Sequence, residues 1–285
     1  MTHTAHTTGI IDVGGGFRAI FGAGVEDRCL EEGVGFDHCY GISAGSANLA
    51  SYLARQQGRA HTFYTQYAFR KEYASMENYI TKRNFCDLDY VYGTLSNSDG
   101  ENPLDYAAFS DNPATFTVVA ANGEDGSSRY FDKSDMRQDD YTILKASSAV
   151  PVACQPVVID NVPYFDGGIA DPIPVQQAID DGCDRIVVVL TRPVDVAREQ
   201  QKDVAPARIL KRHHPAAAER LLNRYRTYND EVALARRYEQ EGKVLILSPE
   251  SLYGLSTMSK TFEGLERMYR AGYAQAARIR EFLDS

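Results

Sequence analysis

The chain has 285 residues, enough to bury the core of one large domain or of two small ones. Hydrophobic residues make up 44% and charged residues 24%, as in ordinary globular proteins, and the net charge of −9 argues against nucleic acid as a partner. No apolar run approaches the roughly 20 residues that a membrane helix needs, and the first residues lack the features of a signal peptide. The five cysteines are scattered and form no CxxC, so we expect reduced, buried thiols in a cytoplasmic protein.

Short strands alternate with helices along the chain. Apolar and β-branched runs predict strands at 8–13, 36–40, 115–121, 128–131, 157–159, 162–165, 185–190 and 244–247. Helical patterns cover 17–32, 46–57, 141–148 and 260–283. This alternation predicts an α/β domain with a mainly parallel sheet, and the tyrosine-rich stretch 64–112 is expected to cap the sheet's working edge.

The first motif with chemical meaning is Gly41-Ile42-Ser43-Ala44-Gly45, between a predicted strand and a predicted helix. A sharp turn there would expose the Ser43 hydroxyl at the carboxyl edge of the sheet, with glycine needed on both sides. The N-terminus of the next helix would favour a developing negative charge. The plainer interpretation is a helix cap, in which a serine satisfies free amides.

The second motif is Gly14-Gly15-Gly16-Phe17-Arg18, directly after the first strand. Glycines leave backbone N–H groups unobstructed, which suits either a phosphate or dinucleotide cradle or an oxyanion hole. A dinucleotide site also needs an acidic residue at the end of the second strand, where this chain has Tyr40 and the serine turn. The oxyanion hole is therefore the better interpretation.

The third motif is Tyr164-Phe165-Asp166-Gly167-Gly168, in which an acidic residue ends a strand and enters a glycine loop. Another backbone could approach its carboxylate closely, although Asp-Gly is also common in plain turns. The carboxylates of the chain show no calcium-loop spacing, so no metal and no cofactor are expected.

A nucleophilic serine needs a base within hydrogen-bond reach, and none of the six histidines has an evident place there. His38 lies five residues upstream in an extended strand, on the order of 15 Å away. His61 lies beyond a helix about 18 Å long. The others lie in a polar tail or in a basic segment that nothing places near the serine: His3, His6, His213 and His214. Asp166 has a suitable setting, while His213 and His214 stay open.

Together these motifs make the chain resemble the patatin-like phospholipases. The resemblance covers roughly residues 8–192 and includes two flanking segments, Ala146–Pro151 (ASSAVP) and Asp171–Pro174 (DPIP), the latter typical of a bacterial branch of predicted esterases. One departure is Ala19, where many members have glycine after the basic residue. The resemblance implies a three-layer patatin-like fold for a catalytic domain at 8–192, with a C-terminal helical extension at 193–285 whose one strand completes or packs on that domain.

The resemblance also implies a histidine-free dyad, with Ser43 as nucleophile and Asp166 as base. The amides of the loop Gly14, Gly15 and Gly16 would form the oxyanion hole, with Arg18 steadying the loop or contacting a phosphate. The remaining motif glycines would shape the turn and the loop: Gly41, Gly45, Gly167 and Gly168. The implied reaction is acyl transfer from a lipid or other ester to water. An acyltransferase with the same dyad is the first alternative, and a non-catalytic nucleotide-binding or regulatory protein is the second.

A basic segment interrupts the acidic chain. Residues 192–237 contain eleven Lys/Arg against six Asp/Glu, a net charge of +5, so the remainder carries −14. The plain interpretation is a pair of solvated helices. The alternative is a peripheral contact with an anionic membrane surface through Arg220, Arg224, Arg236 and Arg237. The sequence does not indicate the oligomeric state.

Overall fold

A computed structural model describes residues 6–285, so that His3 lies outside the described part, and it centres on one eight-stranded sheet. The strands are β1 (Thr8–Asp12), β2 (His38–Ile42), β3 (Thr115–Asn122), β4 (Ser128–Asp132), β5 (Val157–Ile159), β6 (Val162–Asp166), β7 (Arg185–Val189) and β8 (Val244–Leu247). Their order is β5-β6-β3-β2-β1-β7-β8, with β4 paired to β3 outside this path.

The five strands from β3 to β8 along this order are parallel, and β4, β5 and β6 pair antiparallel. The chain leaves β1 first towards β2 and β3, and later returns to place β7 on the other side of β1. Ligand sites in such sheets lie at the carboxyl ends of strands near this reversal of order. The glycine loop follows β1 and Ser43 follows β2, so both lie at that edge.

Helices cover both faces of the sheet. They are α1 (Ile20–Glu32), α2 (Ala44–Leu53), α3 (Arg59–Thr65), α4 (Met76–Lys82), α5 (Tyr106–Asp111), α6 (Thr142–Ser147), α7 (Val175–Asp180), α8 (Gln201–Leu210), α9 (Pro215–Gln240), α10 (Phe262–Gln275) and α11 (Arg278–Asp284). Because side chains of a strand alternate between faces, Ile10 of β1 lies in one apolar core and Ile11 in the other. The expected α/β fold with a mainly parallel sheet between helical layers is confirmed.

The C-terminal part is built into the same sheet. Strand β8 pairs with β7 in parallel, and Gly272 of α10 packs against the backbone of Phe21 in α1, where an added Cβ would lie 2.0 Å from the Phe21 carbonyl oxygen. The single helix predicted at 260–283 is wrong in one respect, because it divides into α10 and α11 around Ala276 and Ala277. No helix among residues 6–285 is both long and apolar enough to cross a membrane.

Candidate active site

The serine motif forms a sharp turn from β2 into α2. Ser43 has φ 55° and ψ −132°, in a region that non-glycine residues rarely adopt, and helix α2 begins at the next residue. Both motif glycines are required by close approach: a Cβ on Gly41 would lie 2.4 Å from the Cα of Ser46, and one on Gly45 would lie 2.2 Å from the carbonyl oxygen of Asp12. The strained turn holds Ser43 at the sheet edge, where the residue is buried but lines a cavity.

The glycine loop after β1 is fixed beside this turn. A Cβ on Gly14 would lie 2.2 Å from the carbonyl oxygen of Ile42, so the two backbones touch. The amide of Gly14 donates to Asp12 Oδ1 at 2.9 Å and its carbonyl accepts from Thr191 Oγ1. Gly14 is therefore a poor oxyanion donor, whereas the amides of Gly15 and Gly16 have no protein acceptor among residues 6–285.

Arg18 steadies the glycine loop from its far side. Its Nε donates to the Gly15 carbonyl at 3.3 Å, and Nη2 donates to Thr257 Oγ1 at 3.3 Å. The loop that carries Thr257 lies directly over Gly16, since a Cβ there would lie 2.1 Å from the Thr257 carbonyl oxygen. Burial, helped by the nearby Arg192, lowers the pKa of Arg18 to about 10, which leaves it charged at neutral pH.

Asp166 ends β6 and lies beside the Ser43 hydroxyl. Its Oδ1 accepts the Gly168 amide at 2.8 Å, and Gly167 must be glycine because a Cβ would lie 2.1 Å from the Val119 carbonyl oxygen. Burial raises the pKa of the Asp166 carboxyl above its usual range, while the Ser43 hydroxyl and the cations Arg224 and Arg198 oppose this shift. A raised pKa makes the carboxylate a stronger base than an exposed aspartate.

The segment before Asp166 holds both residues in place. The Ser43 amide donates to Ser147 Oγ at 2.8 Å, and the same hydroxyl donates to the Val119 carbonyl at 2.6 Å. Two residues later, the Ala149 carbonyl accepts the Asp166 amide at 2.9 Å. The short segment Ala146–Pro151 therefore links the turn and strand β3 through the Ser147 hydroxyl, and Asp166 through the Ala149 backbone.

Two arginines that act on Asp166 also bind the buried Asp203. Arg198 Nη2 donates to Asp203 at 3.2 Å and Arg224 Nη2 donates to it at 2.5 Å, so one carboxylate serves two guanidinium groups. The excess positive charge faces Asp166, whose pKa both arginines lower. Arg224, one of the arginines expected to contact a membrane, is paired with Asp203, and its side chain is only 19% exposed.

Two buried carboxyl groups, Asp12 and Glu26, lie beneath the glycine loop. Asp12 is fully buried, binds Asn48 Nδ2 at 2.9 Å, and has a pKa that burial raises to about 6. Burial and the adjacent Asp12 raise the pKa of Glu26 well above its usual range. Burial thus favours the protonated form of Glu26, while Asp12 holds the Gly14 amide.

Each histidine in the described part is engaged away from Ser43 or exposed. His38 Nδ1 contacts Thr115 Oγ1 at 2.9 Å at the opposite end of β2, and His61 Nε2 contacts Glu266 at 2.8 Å. His214 contacts the Gly123 carbonyl and packs edge-on against the ring of Phe165, so it approaches the strand face opposite to Asp166. His6 pairs with Asp184 and His213 is exposed.

An apolar cavity opens beside Ser43. It encloses about 980 Å³ of empty space, part of it open to solvent. One wall is helix α2, and most of the opposite walls come from residues between 59 and 104, the stretch expected to cap this edge. Among residues 6–285, no cluster of three or more His, Cys, Asp or Glu side chains could hold a metal ion.

The site includes positioning residues that the motif analysis missed. Asp12 had a local signal, as an acid ending an otherwise apolar strand, and Ser147 lay within a segment already noted. Thr191, Thr257 and Asp203 had none, because they approach the site only through the folding of distant parts of the chain.

A serine at a strained strand-to-helix turn, facing glycine amides and a buried carboxyl group, defines the class of acyl hydrolases. Comparison with known families agrees with this class. Residues 13–179, more than half of the chain, match the family model described as "Patatin-like phospholipase". The chain therefore belongs to the patatin-like phospholipase family, a family of hydrolases that act on ester bonds. Residues 214–284 match a second model, a domain of unknown function (DUF6363).

Two individual proteins are similar to this chain. The uncharacterized protein YjjU of Escherichia coli (strain K12) is 32% identical over 183 residues, which cover 63% of this chain and 50% of YjjU. The chain thus spans about half the length of this curated relative. The crystal structure of VipD from Legionella pneumophila aligns with 98% of this chain and 67% of its own, at a TM-score of 0.48 and 12% identity. The family assignment does not depend on it.

Proposed function

We propose that the protein hydrolyses carboxylic esters of lipids through an acyl-enzyme on Ser43, with Asp166 as its base and without histidine. One observation carries the proposal: the hydroxyl of a serine held at positive φ lies beside a buried carboxyl group of raised pKa, at the mouth of an apolar cavity. The domain boundaries 8–192 and 193–285 and the cytoplasmic location remain predictions.

The geometry supports a two-step acyl transfer. Ser43 Oγ attacks the ester carbonyl carbon while its proton passes to the Asp166 carboxylate, and the negative charge develops on the carbonyl oxygen. The amides of Gly15 and Gly16 bind that oxygen, and the N-terminus of α2 adds positive potential. Collapse of this intermediate breaks the ester bond, and the leaving alcohol takes the proton from Asp166. A water molecule then gives a proton to Asp166 as its oxygen attacks the carbonyl carbon of the acyl-enzyme. The bond from this carbon to Ser43 Oγ breaks, Oγ takes the proton back from Asp166, and the acid leaves.

The test is hydrolysis of a panel of phospholipids and p-nitrophenyl esters by purified variants. Ser43→Ala and Asp166→Asn should each lower kcat by a factor of about 10² or more, because each removes a group that acts in the transition state. Asp160→Asn, a matched change at a surface turn of the same hairpin, should leave kcat unchanged. Full activity of Ser43→Ala or of Asp166→Asn would refute the assignment.

Transfer of the acyl group to an alcohol shares every step up to the acyl-enzyme. Product analysis separates the two reactions: free acid identifies a hydrolase, while an acylated glycerol or lysolipid identifies an acyltransferase. The non-catalytic alternative predicts no product of either kind and no reaction with a fluorophosphonate.

We further propose that the basic segment 192–237 contacts anionic membranes through the end of α8. Three of the four arginines expected to serve this role are occupied: Arg220 by the Gly126 carbonyl, Arg224 by Asp203 and Arg236 by Asp195. At the end of α8, Arg208, Lys211 and Arg212 are exposed around Ile209, whose side chain is 62% exposed. Each such cation near an anionic surface contributes about 1 kcal/mol, and salt screens it.

Sedimentation with vesicles containing phosphatidylserine tests this contact. Reversing the charges of Lys211 and Arg212 should weaken binding at low salt more than reversing Arg236 and Arg237, which changes the charge equally. Vesicle binding that changes neither with salt concentration nor on charge reversal of Lys211 and Arg212 would refute the electrostatic contact.

A further inference from the structure

The cavity beside Ser43 ends at a half-buried cation. Four lining residues of α2 recur at helical spacing on one face, Ala44, Ala47, Ala50 and Ser51, so the cavity follows the helix from its start to near its end. Apolar side chains such as Leu95 and Leu144 form walls beside this face. The guanidinium of Arg59, from α3, lies at the Ser51 end and also lines the cavity.

Neutral oxygens satisfy most of the Arg59 donors. Nε donates to the Pro103 carbonyl at 3.0 Å, Nη1 donates to Ser51 Oγ at 2.9 Å, and Nη2 donates to Ser96 Oγ at 2.9 Å and to the Asn102 carbonyl at 2.8 Å. These bonds account for four of the five N–H groups of a guanidinium, and the remaining one belongs to Nη1.

Arg59 has no carboxylate partner in the part of the chain that the structure describes, 6–285. The groups near Arg59 that could become negatively charged are the hydroxyls of Tyr141 and Tyr92, which are neutral at physiological pH. Burial lowers the pKa of Arg59 to about 10. Arg59 is half-buried, and its partial desolvation is compensated by neutral oxygens alone, so an anion that enters the cavity would be attracted to it. The site thus lacks one negative charge.

We propose that Arg59 selects acyl groups that carry an anionic group, such as a carboxylate, at the end remote from the ester. This inference rests on the proposed function, since the ester carbonyl must lie at Ser43 for the acyl chain to enter the cavity. The acyl chain follows α2, and its terminal carboxylate accepts the free N–H of Arg59 and supplies the missing charge.

The helix sets the length of the preferred chain. Ser43 and Ser51 are eight residues apart, which along an α-helix is about 12 Å. An extended carbon chain advances about 1.3 Å per bond, so a chain of roughly eight to ten carbons spans the distance. Shorter chains leave their terminal carboxylate among apolar walls, where it is disfavoured.

The test uses two series of p-nitrophenyl esters with four to twelve acyl carbons, one ending in a methyl group and one in a carboxylate. The ratio of kcat/KM for carboxylate-ended over methyl-ended esters should be highest at eight to ten carbons, at least tenfold above its value at four. Arg59→Met should remove this maximum, Arg59→Lys should retain part of it, and Arg55→Met, at an exposed arginine nearby, should keep it. A purely structural Arg59 would lower both series together, and a ratio that does not depend on length in the wild type would overturn the proposal.

Failure of the proposed function is distinguishable from failure of this inference. The four-carbon neutral ester reports the hydrolase alone. If no ester is cleaved, or if Arg59→Met does not fold, the selection is tested by binding instead. Titration calorimetry then compares how tightly the Ser43→Ala protein binds the carboxylate-ended and the methyl-ended ester of ten carbons. The carboxylate-ended ester should bind at least tenfold more tightly, and equal binding would refute the selection.

Discussion

Replacing Ser147 with alanine tests how the dyad is held together. The Ser147 hydroxyl is fully buried, accepts the Ser43 amide and donates to the Val119 carbonyl. The variant removes this hydroxyl from both backbone groups, and a buried group left unsatisfied costs about 1–3 kcal/mol. We therefore expect the free energy of unfolding to fall by about 1–3 kcal/mol for the Ser43 amide, with a further loss at the Val119 carbonyl.

The same change should lower turnover, because the Ser43 amide bond helps to hold a strained backbone. A loss of only 1.4 kcal/mol of transition-state stabilisation corresponds to about tenfold in kcat. Urea unfolding followed by circular dichroism measures the stability, and hydrolysis of a short-chain p-nitrophenyl ester measures kcat. Ser148→Ala is the comparison, since its hydroxyl contacts Tyr92 at 3.1 Å instead of the turn, and it should destabilise less. A stability change of Ser147→Ala no larger than that of Ser148→Ala, with kcat within twofold of wild type, would refute this reasoning.

Two further predictions concern pH. The proposed base Asp166 could act only when deprotonated, so we expect activity to be lost as the pH falls through its raised pKa. Arg198→Gln removes a cation that lowers this pKa and should move the acid limb of the kcat/KM profile to higher pH. An unmoved limb would show that Arg198 does not influence the group that titrates. Glu26 binds its proton more tightly in the folded state than in the unfolded state, so stability falls as pH rises from about 4.5 towards its folded pKa. Glu26→Gln should flatten that fall above about pH 4.5 in thermal unfolding, and an unchanged slope would show that folding does not raise the pKa of Glu26.

Much of the fold and of the central site could be predicted from the sequence, because the signals are local. Alternating apolar strands and helices identify the sheet, and the glycines around Ser43 and after Asp166 mark places where backbones touch, which the short Cβ distances now explain. Gly14 differs from its two neighbours for a reason that a glycine count does not show: its amide is already bound by Asp12.

The unpredicted parts depend on long-range contacts. Arg224 looked like a surface cation, but its partner Asp203 lies 21 residues earlier in the chain and becomes buried only when α8 packs against α9. The environment of Arg59 also depends on long-range contacts. Its guanidinium donates to the carbonyls of residues 102 and 103 rather than to a carboxylate, and no local sequence pattern predicts these contacts.

Reaction with a fluorophosphonate, followed by intact mass and peptide mapping, identifies the nucleophile and its base in one measurement. We expect a single adduct, on Ser43, with a labelling rate that Asp166→Asn lowers by about 10² or more and that the double variant His213→Gln/His214→Gln leaves near wild type. An adduct on another residue, or a double variant as slow as Asp166→Asn, would contradict a histidine-free dyad of Ser43 and Asp166.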